Sequence, residues 1–130
     1  MEQIATFIQH TSAMSPLVWL ITGCSSGFGQ QFVHSILARG DQVIATGRRL
    51  GALKHLEQAG VAILELDLTS AQADIRDTVK RAIDIHGRID VLVNNASYIA
   101  IGTWEDLEYV TISDALSSTI YLVAINMLIL

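Results

Sequence analysis

Leu17-Val18-Trp19-Leu20-Ile21-Thr22-Gly23-Cys24-Ser25-Ser26-Gly27-Phe28-Gly29 is the stretch whose reading decides the fold. Five apolar residues in a row suit a strand buried on both faces. A glycine-rich turn follows and opens into a segment with helical apolar spacing. A helix start exposes unpaired N–H groups and the positive end of a dipole, and glycines let a backbone approach a pyrophosphate closely. The stretch therefore reads as a phosphate cradle at a strand-to-helix turn. Its glycines fall at positions 23, 27 and 29, one residue longer in span than the ordinary G-x-G-x-x-G. A tight turn with no ligand is the plain alternative for such a loop taken alone.

Outward from the loop, strand and helix alternate. Residues 27–39 form an expected helix with Phe32, Val33, Ile36 and Leu37 on one face, and Gly40 at its C-terminal cap. Gln42–Thr46 reads as a second strand, 50–58 as a second helix with Leu53 and Leu56 inward, and Val61–Leu66 as a third strand. Thr69 or Ser70 is placed to cap a third helix to about His86, with Ile75, Val79, Ala82 and Ile83 at helical spacing and Gly87 closing it. Ile89–Val93 is a fourth strand ending in Asn94-Asn95. The pattern predicts an α/β fold: a partial doubly wound Rossmann domain, with a parallel sheet in order 3-2-1-4 and helices on both faces.

Bulk properties bound the rest. A chain of 130 residues makes one domain at most, and 51% hydrophobic content is enough for a core. A net charge of -5 argues against nucleic acid as a partner. Cys24 is the single cysteine, so no internal disulfide exists, and a reducing cytoplasmic setting is expected. In the loop it reads as a small packing residue rather than a redox group. The four histidines are scattered without metal-ligand spacing, so no metal site is expected. Asp74, Asp77 and Asp84 read as the solvated side of the third helix. The N-terminus lacks a signal-peptide pattern. Residues 1–13 are expected to be an extension, 14–107 the nucleotide-binding unit, and 108–130 an apolar tail. Residues 115–130 are uncharged and number 16, short of the ~18–20 needed to span a bilayer. A buried helix or strand is the plain reading of that run, and a membrane anchor the weaker one.

Three further signals refine the cradle. An NAD-selective site places Asp or Glu at the end of the second strand, whereas an NADP site places Arg near the 2′-phosphate. Here Thr46-Gly47-Arg48-Arg49 carries no acid, and Arg48 lies 19 residues after Gly29. A guanidinium grips phosphate through paired hydrogen bonds, and Arg48 is the better placed of the two arginines. Asp67, with Leu68, follows the third strand, where a carboxylate can accept from the adenine amino group. On its own it would read as a helix-capping acid. Asn94-Asn95 ends the fourth strand, where amides can pin neighbouring strands and line a cofactor floor. The expected cofactor-binding set is Gly23, Ser25, Ser26, Gly27, Phe28, Gly29, Arg48, Asp67, Leu68, Asn94 and Asn95, with NADP as the cofactor.

Together these segments resemble the short-chain dehydrogenase/reductase family. Thr22–Gly29 is similar to its TGxxxGxG loop, Asp67-Leu68-Thr69 to its adenine-binding segment, and Asn94-Asn95-Ala96-Ser97 to its NNAG, with Ser97 in place of the last glycine. The resemblance implies reversible hydride transfer between NADP(H) and a carbonyl or alcohol on a small-molecule substrate. It also implies a Tyr-x3-Lys pair, in which lysine lowers the tyrosine pKa and tyrosine moves the proton. This sequence has no such pair: Tyr98, Tyr109 and Tyr121 are followed four positions on by Gly102, Ser113 and Ile125, and no lysine follows Lys80. No catalytic residue is therefore assigned. The chain is expected to be a truncated family member, inactive alone. A non-catalytic dinucleotide-binding or interaction module is the alternative, and a substituted acid/base at Tyr98 or Tyr121 a third reading. An uncovered fourth-strand edge would favour a homo-oligomer or pairing with a complete relative.

Overall fold

A computed structural model describes residues 15–97. The expected extension, the whole of the expected tail, residues 98–107 of the expected nucleotide-binding unit and the tyrosines at 98, 109 and 121 lie outside those residues. The described elements are β1 (Val18–Ile21), α1 (Gly27–Ala38), β2 (Gln42–Gly47), a 3-10 turn (Leu50–Leu53) running into α2 (Lys54–Glu57), β3 (Ala62–Glu65), α3 (Gln72–His86) and β4 (Val91–Val93). The four strands form one parallel sheet in the order β3-β2-β1-β4, as the sequence predicts.

Strand side chains alternate between faces, so each central strand feeds two cores. On one face Ile21, Val43 and Ala45 meet Val33 and Ile36 of α1 and Leu53 and Leu56 of the second helical segment. On the other, Val18, Leu20, Ile44 and Leu64 meet Ala82 of α3, and Ile75 and Val79 continue that layer with Leu66 and Leu68. This two-sided burial explains why β1 reads as a continuous apolar run.

Several local expectations are corrected. Phe32 is turned outward, with only Gly29, Val33 and Ile36 buried on α1. A helical apolar stripe is wide enough to contain four residues, but the core here buries Val33 and Ile36, packs Leu37 partly and leaves Phe32 facing solvent. The second helix divides into a 3-10 turn and one α-turn. Neither Thr69 nor Ser70 caps α3; the cap is Ala71, which makes no side-chain cap hydrogen bond. Asp67 explains the delay: its Oδ1 accepts from the Thr69 N–H at 2.9 Å and the Thr69 hydroxyl at 2.7 Å. That closed Asx turn competes with helix initiation. β3 and β4 are shorter than expected: Val61 N–H turns back to the Leu56 carbonyl at 3.2 Å, while Leu66 and Asp90 still donate to Gly47 and Val18 of the neighbouring strands at 2.9 Å as the ladders end.

The amino end of β1 is held by two carboxylates. Leu17 N–H donates to Asp41 Oδ1 at 3.1 Å, and Trp19 Nε1 donates to Asp41 Oδ2 at 3.1 Å. Val18 N–H donates to Asp90 Oδ2 at 2.8 Å, and that oxygen also receives Arg88 Nε at 3.0 Å. These groups fix the central strand at one edge of the sheet. The opposite, carboxyl edge is left to the loops.

Candidate functional site

At the carboxyl edge, the segments that follow all four strands border one cleft of about 530 Å³. The β1–α1 loop contributes Thr22, Gly23, Ser25, Ser26 and Phe28; Gly47 and Arg48 follow β2; Leu66–Thr69 follow β3; Asn95, Ala96 and Ser97 follow β4. In an open α/β sheet, ligands sit at this edge where the strand order reverses, here between β1 and β4.

The loop owes its shape to contacts inside the protein. Gly23 has φ +69°, and a Cβ on it would lie 2.7 Å from the Ala96 Cα. A Cβ on Gly29 would overlap the Gly23 carbonyl oxygen and lie 2.6 Å from Asn95 Nδ2. Gly27 differs: its φ is +60°, but a Cβ would meet nothing within 4 Å. It is there for backbone conformation alone.

Side-chain hydrogen bonds lock the loop to the β4 turn. Thr22 Oγ1 accepts from the backbone N–H groups of Asn95 and Ala96, each at 3.0 Å, and donates to the Val93 carbonyl at 3.4 Å. Asn95 Nδ2 donates to the carbonyls of Thr22 at 3.1 Å and Gly23 at 3.0 Å. Thr22 is 1% exposed and its hydroxyl is fully used, so it organises the cradle from beneath. It is absent from the site set expected from sequence; its signal was its place directly after β1, facing a strand end rich in N–H groups.

The expected site residues divide into three groups. Gly23, Ser25, Ser26, Phe28, Arg48, Asp67, Leu68 and Asn95 border the cleft. Gly27 and Gly29 shape it without lining it. Asn94 is exposed and also lies outside the lining set. Cys24 is completely buried, its thiol donating to the Ile21 carbonyl at 3.2 Å. Burial pushes that thiol up to about 11, against a hydrogen bond from the Thr46 backbone that lowers it. A thiol so protonated is a packing group rather than a nucleophile. Among the described residues no group of His, Cys, Asp or Glu could hold a metal, and no helix is long and apolar enough to cross a membrane.

The donor set suits a dinucleotide. The first turn of α1 has N–H groups with no helical partners, and Ser26 at its N-cap spends no side-chain hydrogen bond on the helix. Both its hydroxyl and the orphan N–H groups are left for an anion. Arg48 is exposed at the cleft, with no carboxylate within ion-pair distance among the described residues.

Comparisons with known proteins agree with this geometry. A family model described as short chain dehydrogenase matches residues 17–127. Human retinol dehydrogenase 8 is 36% identical over 116 residues, covering 84% of this chain and 37% of that protein. A short-chain dehydrogenase from Streptomyces avermitilis superposes with a TM-score of 0.81 at 33% identity, over 90% of this chain and 44% of that one. A 3-ketoacyl-(acyl-carrier-protein) reductase from Brucella melitensis, solved with NADH, gives 0.77 at 23% identity, over 88% of this chain and 48% of that one, a likeness of fold alone. The chain spans about a third of the length of the first curated relatives, from 31% to 37%.

Proposed function

We propose, from the premise that this chain belongs to the short-chain dehydrogenase family, that it is the NADP-binding portion of an oxidoreductase acting on a carbonyl or alcohol. The observation that carries the choice of NADP is the end of β2. Gly47 and Arg48 stand there, and no acid is present to receive a ribose 2′-hydroxyl. The NADH bound by the Brucella neighbour is no guide at this position, because selection rests on side chains that differ between family members.

In this reading the β1–α1 loop holds the diphosphate through the orphan N–H groups and Ser26. Arg48 pairs with the 2′-phosphate, and Asp67 and Leu68 border the adenine. Asn95 and Thr22 keep the loop rigid, so the cofactor meets a surface that need not reorganise. NADP supplies the hydride chemistry when bound. The proton transfer that accompanies it needs an acid/base pair, and the 130 residues contain no Tyr-x3-Lys. The chain alone therefore binds cofactor without turning it over, and catalysis belongs to a whole protein of the family's length. A cytoplasmic setting and a small-molecule substrate go with this reading, as does association with another copy or a complete relative.

Calorimetry with NADP+ and NAD+ tests the binding claim, with NADP+ expected to bind the more tightly. No heat with either at millimolar ligand, or equal affinity for both, would remove the NADP assignment. NADPH oxidation against a panel of aldehydes and ketones tests the rest; turnover above background would show that an acid/base outside the expected pair serves.

A further inference from the structure

We infer that the exposed flank of α1 is a self-complementary seam through which two copies of this chain pair, their α1 helices antiparallel about a twofold axis. The inference does not depend on the cofactor reading, and it gives association with another copy a surface.

Surface helices ordinarily carry charge on the side that faces water. α3 follows that rule, with six charged residues in 15. α1 does not: Gly27–Ala38 contains no Lys, Arg, Asp or Glu. Its outward side holds two phenylalanines instead, Phe28 at 79% and Phe32 at 41% exposure. At about 100° per residue, Phe28, Phe32, Ser35 and Arg39 fall within roughly 60° of one another, about a quarter-turn from the buried Val33 and Ile36. All four are exposed. Arg39 caps the helix with helical angles, φ -82° and ψ -7°, so it continues the stripe.

The order of the stripe decides the occupant. It runs ring, ring, small hydroxyl, cation. Reversed about its own midpoint, it sets Phe32 against Ser35 of a second copy and Phe28 against Arg39 of that copy, twice over by symmetry. The small serine leaves room for the Phe32 ring, so the helices can approach closely. The exposed Arg39 guanidinium already lies 5.9 Å from the centre of the Trp19 ring, and in the pair it meets a second aromatic face. Each position thus finds its complement in an identical chain, which is what a twofold interface requires. The chain carries a net charge of -5, and an uncharged helix is where two such chains meet with least repulsion. A 12-residue helix is only about 18 Å long, so the seam is small and the dimer weak.

Analytical ultracentrifugation of the 130-residue chain over about 1–300 µM, with no cofactor present, tests this. The mass is expected to rise from one chain to two and stop there, because a twofold contact closes. Phe32→Asp is expected to weaken association roughly tenfold or more by placing a charge in the seam. Ile85→Asp is the control: Ile85 is 40% exposed but lies on α3, so association should not change. Circular dichroism checks that both variants fold. Oxidative cross-linking reads the register independently. Chains carrying Phe32→Cys, mixed with chains carrying Ser35→Cys, should form a disulfide-linked dimer faster than either alone, with the buried Cys24 taking no part. A chain monomeric at every concentration would overturn the inference; a loss of stability in Phe32→Asp would then give the stripe to a segment of the same chain, and unchanged stability to a different partner. A mass that grows past two copies, or that falls equally in both Asp variants, would place the contact elsewhere and overturn the seam. Equal cross-linking rates would overturn the antiparallel register. Calorimetry with NADP+ is a separate measurement, so the seam and the cofactor site can fail independently.

Discussion

Thr22 and Asn95, 73 residues apart, are joined through both main chain and side chain. The Asn95 N–H donates to the Thr22 hydroxyl at 3.0 Å, and the Asn95 amide donates to the Thr22 carbonyl at 3.1 Å. The threonine hydroxyl and the asparagine amide each also serve a second partner in the opposing segment, Ala96 and Gly23. Thr22→Val keeps the shape and strands two partly buried N–H groups. A cost of about 1–3 kcal/mol is expected, read as a lowered urea midpoint. Asn95→Ala should cost a similar amount. Because the two residues share one network, the double variant should lose less than the sum of the single losses, and strict additivity would show that the two act independently.

Gly29→Ala is expected to disrupt the loop and to destabilise the fold by several kcal/mol, since its Cβ would overlap the Gly23 carbonyl and crowd the Asn95 amide. Gly51→Ala is the control. Its Cβ would meet nothing within 4 Å and its φ is not in the left-handed region, so a gain of about 0.4–1 kcal/mol is expected from the unfolded state. Thermal melts of the two variants should move in opposite directions.

Arg48→Ala should weaken NADP+ by roughly ten- to a hundredfold, the range for losing charge-assisted hydrogen bonds to a phosphate, and leave NAD+ unchanged. Arg49→Ala should do much less, because Arg49 does not border the cleft. Competition binding with the two dinucleotides measures both. Equal weakening of NAD+ in Arg48→Ala would show the arginine serving the diphosphate instead.

Cys24 gives a pH dependence whose sign follows from its burial. The folded thiol titrates near 11 against 9.0 for the free group, so folding favours the neutral form. Below pH 9 both states are protonated and the thiol has no pH-dependent effect. Between pH 9 and 11 the unfolded chain ionises first, and stability falls by an amount on the order of 2 kcal/mol before levelling off above 11. Cys24→Ala should remove that decline. In the native chain at pH 8, a thiol reagent should label Cys24 only at the rate of unfolding.

The sequence makes the sheet legible because β1 and β2 are short apolar runs and α3 carries a helical period, signals that survive without knowledge of their neighbours. It makes the cradle legible because the loop needs glycine at positions 23, 27 and 29. It misleads where two local solutions compete. Asp67 reads as a ligand-facing acid and, taken alone, as a helix-capping one; the structure instead engages Oδ1 with Thr69 in a turn while the residue still borders the cleft. Phe32 reads as core because its spacing is correct, yet nothing in a helical period says how much of the stripe the sheet can cover. Thr22 was read as part of the loop but not as a site residue, because its part is played through main-chain groups at a strand end remote in sequence, which no local pattern encodes.

The close approach of Gly23 to Ala96 has a consequence for the order of assembly. A phosphate cradle formed from residues 22–29 looks like an early, local structure, yet its Gly23 is wedged against the far end of β4 with no room for a methyl group. The loop cannot take its final form until the chain has been made through Ala96 and β4 has docked beside β1, which closes a loop of some seventy residues and carries the entropic cost of that closure. A segment synthesised well before β4 is thus among the last to become a site, and a growing chain cannot recognise its cofactor before its fourth strand is in place.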